Sequence, residues 1–455
     1  MILRSYYPHY KENLKLAIPV IISQAGQMLT GIADNAMVGQ VDKTLLAASA
    51  FSNSVFNIWM LFGLGFTIGL TPLVGVAYGK KDFAKIGNLF RHSLIINAFI
   101  TLLLFCVLIF IETQLHLFGQ EENVLKEAYP YYRIITYSLV PFLLFMTAKQ
   151  FAEGVESTKP AMIFTLLSNL LNVFLNYTLI YGNFGFEPMG LVGAGIATLW
   201  ARIFQTVGMW TYLLFSRRFR PFLVEFFNND FQLSTFKEIF RISLPIAFQI
   251  IIEVAAFVLG TIMMGWVGTA QLAAHQIALG LCSLTFLMAS GFSTALTIRA
   301  SSFMGAKDFR QVRLCVYAGI HLTLLFMAFT SLIFVIWRYY LAELHSQDLQ
   351  VIQIAASLLL IAALFQLFDG TQVVSLGALR GIADVRFPTF MVLIAHGFIT
   401  VPVSYFLTFT LEFREVGIWI GFLLGLAVAA ILLLYRFEVI SKRMLKQNQQ
   451  GILER

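Results

Sequence analysis

The sequence predicts an all-α polytopic membrane protein: twelve transmembrane helices arranged as two pseudo-symmetric six-helix bundles. Three observations carry that prediction. The 455 residues are 58% hydrophobic and 12% charged, whereas a soluble globular chain carries about 25% charged residues. Apolar segments long enough to cross a bilayer, for which about 20 residues suffice, recur twelve times along the chain. The chain also matches itself at an offset of 226 residues, with sixteen identities over the 65 positions that run from Pro19 to Phe83 and from Pro245 to Phe309.

The twelve segments fall at 14–39, 46–77, 89–117, 128–153, 160–182, 188–216, 237–265, 272–303, 312–340, 348–379, 386–410 and 415–440. Gly79, Gly119, Gly182 and Gly305 follow apolar runs, and Pro160 and Pro388 begin them, as helix ends and starts require. The first segment is longer than a signal h-region, carries Asp34 and lacks an A-x-A site, so no cleavable signal is expected. In the internal match Pro19 falls on Pro245, Met37 on Met263 and Gly39 on Gly265. Further on, Lys81-Asp82-Phe83 falls on Lys307-Asp308-Phe309 and, with a one-residue slip, Glu153-Gly154 falls on Arg380-Gly381. The predicted organisation is an N-terminal six-helix lobe (1–216), a cytoplasmic linker (217–236), a C-terminal six-helix lobe (237–440) and a cytoplasmic tail (441–455). The linker holds Arg217, Arg218, Arg220 and the polar run Asn228-Asn229-Asp230.

Loop charges set the orientation. With the N-terminus inside, the inner segments hold 25 Lys and Arg and the outer ones hold five. Both termini are therefore expected on the cytoplasmic side. The net charge of +7 follows from these loops and does not point to nucleic acid. Cys106, Cys282 and Cys315 lie in apolar segments, so no disulfide framework is indicated.

Polar groups inside the segments are where chemistry should lie, because an acid at the bilayer centre costs at least about 2.5 kcal/mol unless it faces protein or water. Gln24, Gln27, Gly31 and Asp34 are spaced 3, 4 and 3 apart and share a helix face. Asn169, Asn172 and Asn176 share a face of segment 5, and segment 6 adds Thr198 after the small-residue run Gly193-Ala194-Gly195. A carboxylate, amide oxygens and a hydroxyl suit a small hard cation; alternatively Asp34 loads a proton. In the second half, Gln249 and Glu253 are i, i+4 on segment 7, and Gln366, Asp369 and Gln372 are spaced by three on segment 10. Two acids there are expected to share a cation or a proton. Arg202, His275, His321 and His396 are expected to be structural and satisfied, and Lys149–Glu153 to form a solvated or gating pair. No Walker loop, paired-His metal motif or G-x-S-x-G elbow occurs. An enzyme is not expected, and energy must come from an ion gradient.

Pro19 with Asp34, the M-V-G and M-M-G helix ends, the Gly-Lys-Lys-Asp and Gly-Ala-Lys-Asp loops and the Glu253, Asp369 acids together resemble the multidrug and toxic compound extrusion (MATE) family, in its NorM-like bacterial branch. The resemblance implies the V-shaped fold of that family, with Glu253 and Asp369 (flanked by Gln249 and Gln366) as the cation-coupling set of the C-terminal lobe. It implies an N-terminal-lobe cation or proton site at Asp34, Asn172, Asn176 and Thr198. It further implies a monomeric antiporter of the bacterial inner membrane. Such a carrier exports cationic aromatic drugs against Na⁺ or H⁺, confers antibiotic resistance and uses no other cofactor. Two departures stand out: Asn176 replaces an aspartate found in some relatives, and Phe365 replaces an aromatic hydroxyl. A lipid-linked oligosaccharide flippase of the same superfamily is the alternative, disfavoured because the intramembrane charges are mostly acidic.

Overall fold

The computed structural model describes the backbone of residues 2–228 and 231–453, and the side chains of 5–226 and 231–447; Asn229-Asp230 of the linker run and the end of the tail lie outside them. Among the described residues, twelve helices are long and apolar enough to span a membrane. They are α1 (Ser5–Val41), α2 (Lys43–Gly79), α3 (Phe83–Thr113), α4 (Glu122–Gly154), α5 (Lys159–Tyr181) and α6 (Gly190–Phe215). The second half gives α7 (Leu233–Val267), α8 (Thr269–Gly305), α9 (Phe309–Ile336), α10 (Leu349–Gly381), α11 (Arg386–Thr410) and α12 (Arg414–Gln447). A short helix, Arg220–Asn228, occupies the linker.

Aspartates start several of these helices by accepting the free amides of the first turn. Asp42 accepts from Thr44 N and Leu45 N at 2.6 and 3.4 Å, Asp82 from Lys85 N at 2.9 Å, and Asp308 from Gln311 N at 3.1 Å. The repeated charged loops are one stop–restart device used twice. Lys81 and Lys307 take left-handed backbone at φ 58° and 59°, and Glu156 and Ala383 do so at 59° and 60°. Each such turn is closed by the same pair of backbone bonds, as in Asp82 N to Ala77 O and Asp308 N to Phe303 O, both 3.0 Å. The internal repeat is thus a repeat of turn geometry as well as of sequence.

The helices pack into two compact units, Ile22–Ala247 and Met1–Ile21 with Phe248–Arg455. The unit boundaries therefore depart from the linear division at 216 and 237: each falls inside a long helix, two residues beyond Pro19 or Pro245. A proline inside a helix removes one backbone hydrogen bond and loosens the turn before it, so one helix can serve two packing groups. Polar anchors hold the exchanged ends. The start of α1 is fixed by Arg299, which donates to Asn13 Oδ1 at 2.6 Å and to the His9 carbonyl at 3.2 Å, while Asn13 donates to the Cys315 carbonyl at 3.0 Å. Leu16 and Ala17 of the same stretch join the core around Phe292 and Leu296. The start of α7 is fixed in the first unit: Gln232 N donates to His92 Nε2 at 2.9 Å, and Lys85 pairs with Glu238 at 2.6 Å. There α2 is broken at Gly69, where an added Cβ would lie 2.7 Å from the Ser243 backbone, so only glycine permits this approach.

Candidate functional site

In the first unit the sequence-predicted residues come together as a hydrogen-bonded chain across α1, α5 and α6. Asn176 Nδ2 donates to Asp34 Oδ1 and, at 3.2 Å, to Asn172 Oδ1; Asn172 Nδ2 donates to Thr198 Oγ1 at 3.4 Å. Asn176 is fully buried and Asn172 nearly so. The close approach of α6 to α5 depends on Gly193, whose Cβ would stand 2.8 Å from the Leu179 carbonyl. Gln27 is exposed on the Asp34 stripe, Gly31 faces open space, and Gln24 is partly buried and engaged. Asn169, on the same face of α5, contributes no bond from its Nδ2.

Arg202 is structural in its contacts: it donates to Ser138 Oγ at 2.7 Å and lies over the Phe142 and Phe56 rings at 4.9 and 5.5 Å. Its guanidinium is within electrostatic reach of Asp34. Lys149 and Glu153, expected as a solvated or gating pair, are not solvated. They stand 3.7 Å apart with Glu153 1% exposed, because the inner end of α4 is covered on the side that was expected to meet water.

In the second unit α7 and α10 present the acids. Glu253 Oε1 accepts from Gln372 Nε2 at 2.9 Å. Asp369 is 4% exposed, accepts no hydrogen bond among the described residues and feels the charge of Glu253. The buried Gln372 Oε1 has no partner, so an acceptor oxygen is left over beside the pair. Carboxylate and amide oxygens of this kind suit a hard monovalent cation or a shared proton.

Gln366 is not part of this group, a correction to the predicted set. Its amide is spent on α9, accepting from Thr330 Oγ1 and donating to Ser331 Oγ, both at 3.0 Å. Gln372, on the opposite flank of Asp369, is the amide that meets Glu253. Gln249 is nearly fully buried and accepts from Arg380 Nη2 at 2.8 Å. Arg380, a basic residue at the inner end of α10, thereby joins this neighbourhood. The signal that places it is its spacing of eleven residues from Asp369, three helical turns on the same face.

The histidines divide. His275 is satisfied: its Nδ1 accepts the Trp419 indole N–H at 3.1 Å, and its Nε2 meets Thr261 Oγ1 at 3.1 Å. His321 bonds the Tyr10 hydroxyl at 3.1 Å. His396 departs from the expectation, being 1% exposed with neither ring nitrogen partnered. It sits where α11 widens to π-helix over Leu393–Thr400, with its ring 6.3 Å from that of Phe257.

The MatE family profile matches twice, over residues 19–178 and 245–406, at the offset of the internal repeat. The chain is similar to a probable multidrug resistance protein NorM of Xylella fastidiosa, with 33% identity over 95% of this chain and 92% of that protein. It is also similar to a multidrug resistance protein MdtK of Yersinia pseudotuberculosis, with 30% identity over 97% and 98%. Among solved structures, a MATE in the bent conformation aligns with TM-score 0.89 at 19% identity over 96% of this chain and 97% of that one. The eukaryotic MATE transporter AtDTX14 aligns with TM-score 0.85 at 20% identity over 97% and 99%.

Proposed function

This chain belongs to the MatE family, and from that premise we propose that it is a multidrug efflux antiporter coupled to Na⁺ or H⁺ through the carboxylates of its membrane-spanning helices. It is an integral multi-pass membrane protein and a transporter rather than an enzyme. The observation that carries the coupling role is the Glu253–Asp369 pair. Neither acid is in a salt bridge among the described residues, and Asp369 lacks any donor. Two such acids in an apolar helix bundle are stable only when a cation or proton offsets their charge. Asp34, held by Asn176 in the other unit, makes a second acid site.

The physical basis of exchange is competition for that negative charge. Ion entry from outside neutralises the acids and releases a cationic, aromatic cargo; ion loss to the inside restores the charge and draws cargo in. Each ligand must favour one of the two states for this to work. The driving force is about 2.3 kcal/mol per charge per 100 mV. The excess of Lys and Arg on one set of loops, 25 against five, supports cytoplasmic termini in a bacterial inner membrane; a monomer holds both acid sites. The test is efflux of a fluorescent cationic dye from proteoliposomes under an imposed Na⁺ or pH gradient. One of the two gradients is expected to drive efflux. Dye retention under both, with flipping of a labelled lipid instead, would overturn the reading in favour of a flippase.

A further inference from the structure

Within the membrane-spanning part of the second unit, α7 and α10 carry three formally charged side chains: Glu253, Asp369 and Arg380. Among the described residues the guanidinium does not pair with an acid. It donates to Gln249 Oε1 at 2.8 Å and leaves its buried Nε without an acceptor. Gln249 and Glu253 are i, i+4 neighbours, so Glu253 lies one helical turn along α7, about 6 Å away on the same face. Arg380 and Glu253 feel each other's charge across that gap. The side chains between the two positions are incompletely bonded: Gln249 Nε2, Gln372 Oε1 and Arg380 Nε are all buried and unpartnered. A long flexible cation with a weak neutral partner and a stronger anionic one within a turn has two stations to occupy.

We propose that Arg380 is the resident counter-cation of the Glu253–Asp369 site, parked on Gln249 when the pair holds its coupling ion and drawn along α7 to Glu253 when that ion leaves. Two carboxylates and one guanidinium leave one net negative charge, so the site exchanges a single unit of positive charge per cycle. Arg380 also limits how tightly the ion is held, because like charge opposes ion entry and favours its release. It acts through the acids and is a positioning residue. The inference rests on Glu253 and Asp369 being the coupling pair.

The experiment follows tryptophan fluorescence of the purified full-length protein, since Trp419 packs at 5.6 Å on Phe365, one turn before Asp369. Na⁺ is titrated at fixed pH, and protons are titrated in Na⁺-free buffer, so the responding ion is identified in the wild type. Removing the guanidinium in Arg380→Gln is expected to shift the midpoint to roughly tenfold or more lower ion concentration, with Arg380→Lys close to wild type. Gln249→Leu, which strips the neutral station, is expected to move the midpoint in the opposite direction. The double variant should match Arg380→Gln alone, because Gln249 then has no cation to hold. A structural anchor would not give shifts of opposite sign. An unmoved midpoint in Arg380→Gln, with Glu253→Gln and Asp369→Asn still abolishing the response, would overturn this inference alone. A wild-type response that survives in both acid variants would overturn the coupling reading and this inference with it.

Discussion

Asp369→Asn separates what the carboxylate does for the fold from what it does for transport. The substitution keeps size and shape and removes one charge. Asp369 is 4% exposed and receives no hydrogen bond among the described residues, so its ionised form is a burden on the folded state and the neutral amide relieves it. Melting of the purified variant should therefore match or exceed wild type. Ion binding should suffer. A monovalent cation about 4 Å from a carboxylate gains about 4 kcal/mol at an effective dielectric constant of 20, worth roughly three powers of ten in affinity. Dye efflux from vesicles should lose its ion dependence and drug resistance should vanish, with the protein still present in the membrane at normal level. Full, ion-driven efflux by this variant would refute the assignment, and a collapse in stability would refute the claim that the charge serves transport at the expense of the fold.

Other sites give further expectations. Thr198→Val breaks the far end of the chain that leads through Asn172 to Asp34; a neutral hydrogen bond is worth about 1 kcal/mol, so a modest loss of stability with a weakened ion response is expected from melting and efflux measured together. Asn13→Ala leaves the buried Arg299 without its 2.6 Å acceptor and should destabilise by about 2–4 kcal/mol, seen as a lower unfolding temperature in detergent. Trp419→Phe orphans His275 Nδ1 and should cost about 1–3 kcal/mol while leaving the pH profile of efflux unchanged. Gly69→Val drives a side chain into the Ser243 backbone and should abolish folded protein on a fluorescence-detected gel-filtration trace.

Much of this architecture could be predicted from the chain because its signals are local. Apolar length sets the spans, aspartates set the helix starts, and Lys81 and Lys307 repeat one turn. Spacing also put Asn172 and Asn176 on one face of α5; that Asp34 and Thr198, on other helices, join them is what the family resemblance implied. What spacing lacks is the identity of the neighbour. Gln366 and Gln372 flank Asp369 by equal angles, and nothing in α10 alone says that one flank meets α9 and the other α7. Arg380 was hidden by its address at a basic helix end, where a cation is ordinary. His396 was hidden because a π-helical stretch shifts the register that a 3.6-residue period assumes. The exchange of helix ends at Pro19 and Pro245 is a tertiary choice between two packing groups, which hydropathy does not encode.

That exchange has a consequence for biogenesis. The acceptor for Asn13 is 302 residues downstream, and Arg299 is 286 residues away. At synthesis rates of about 5–20 residues per second, the beginning of the first helix waits roughly fifteen seconds to a minute for its partners. The nascent chain must hold that stretch, with its buried-to-be Asn13 and His9, unmated through the insertion of at least seven further helices. Maturation therefore cannot proceed bundle by bundle, and a truncated first half lacks the surface that receives its own beginning.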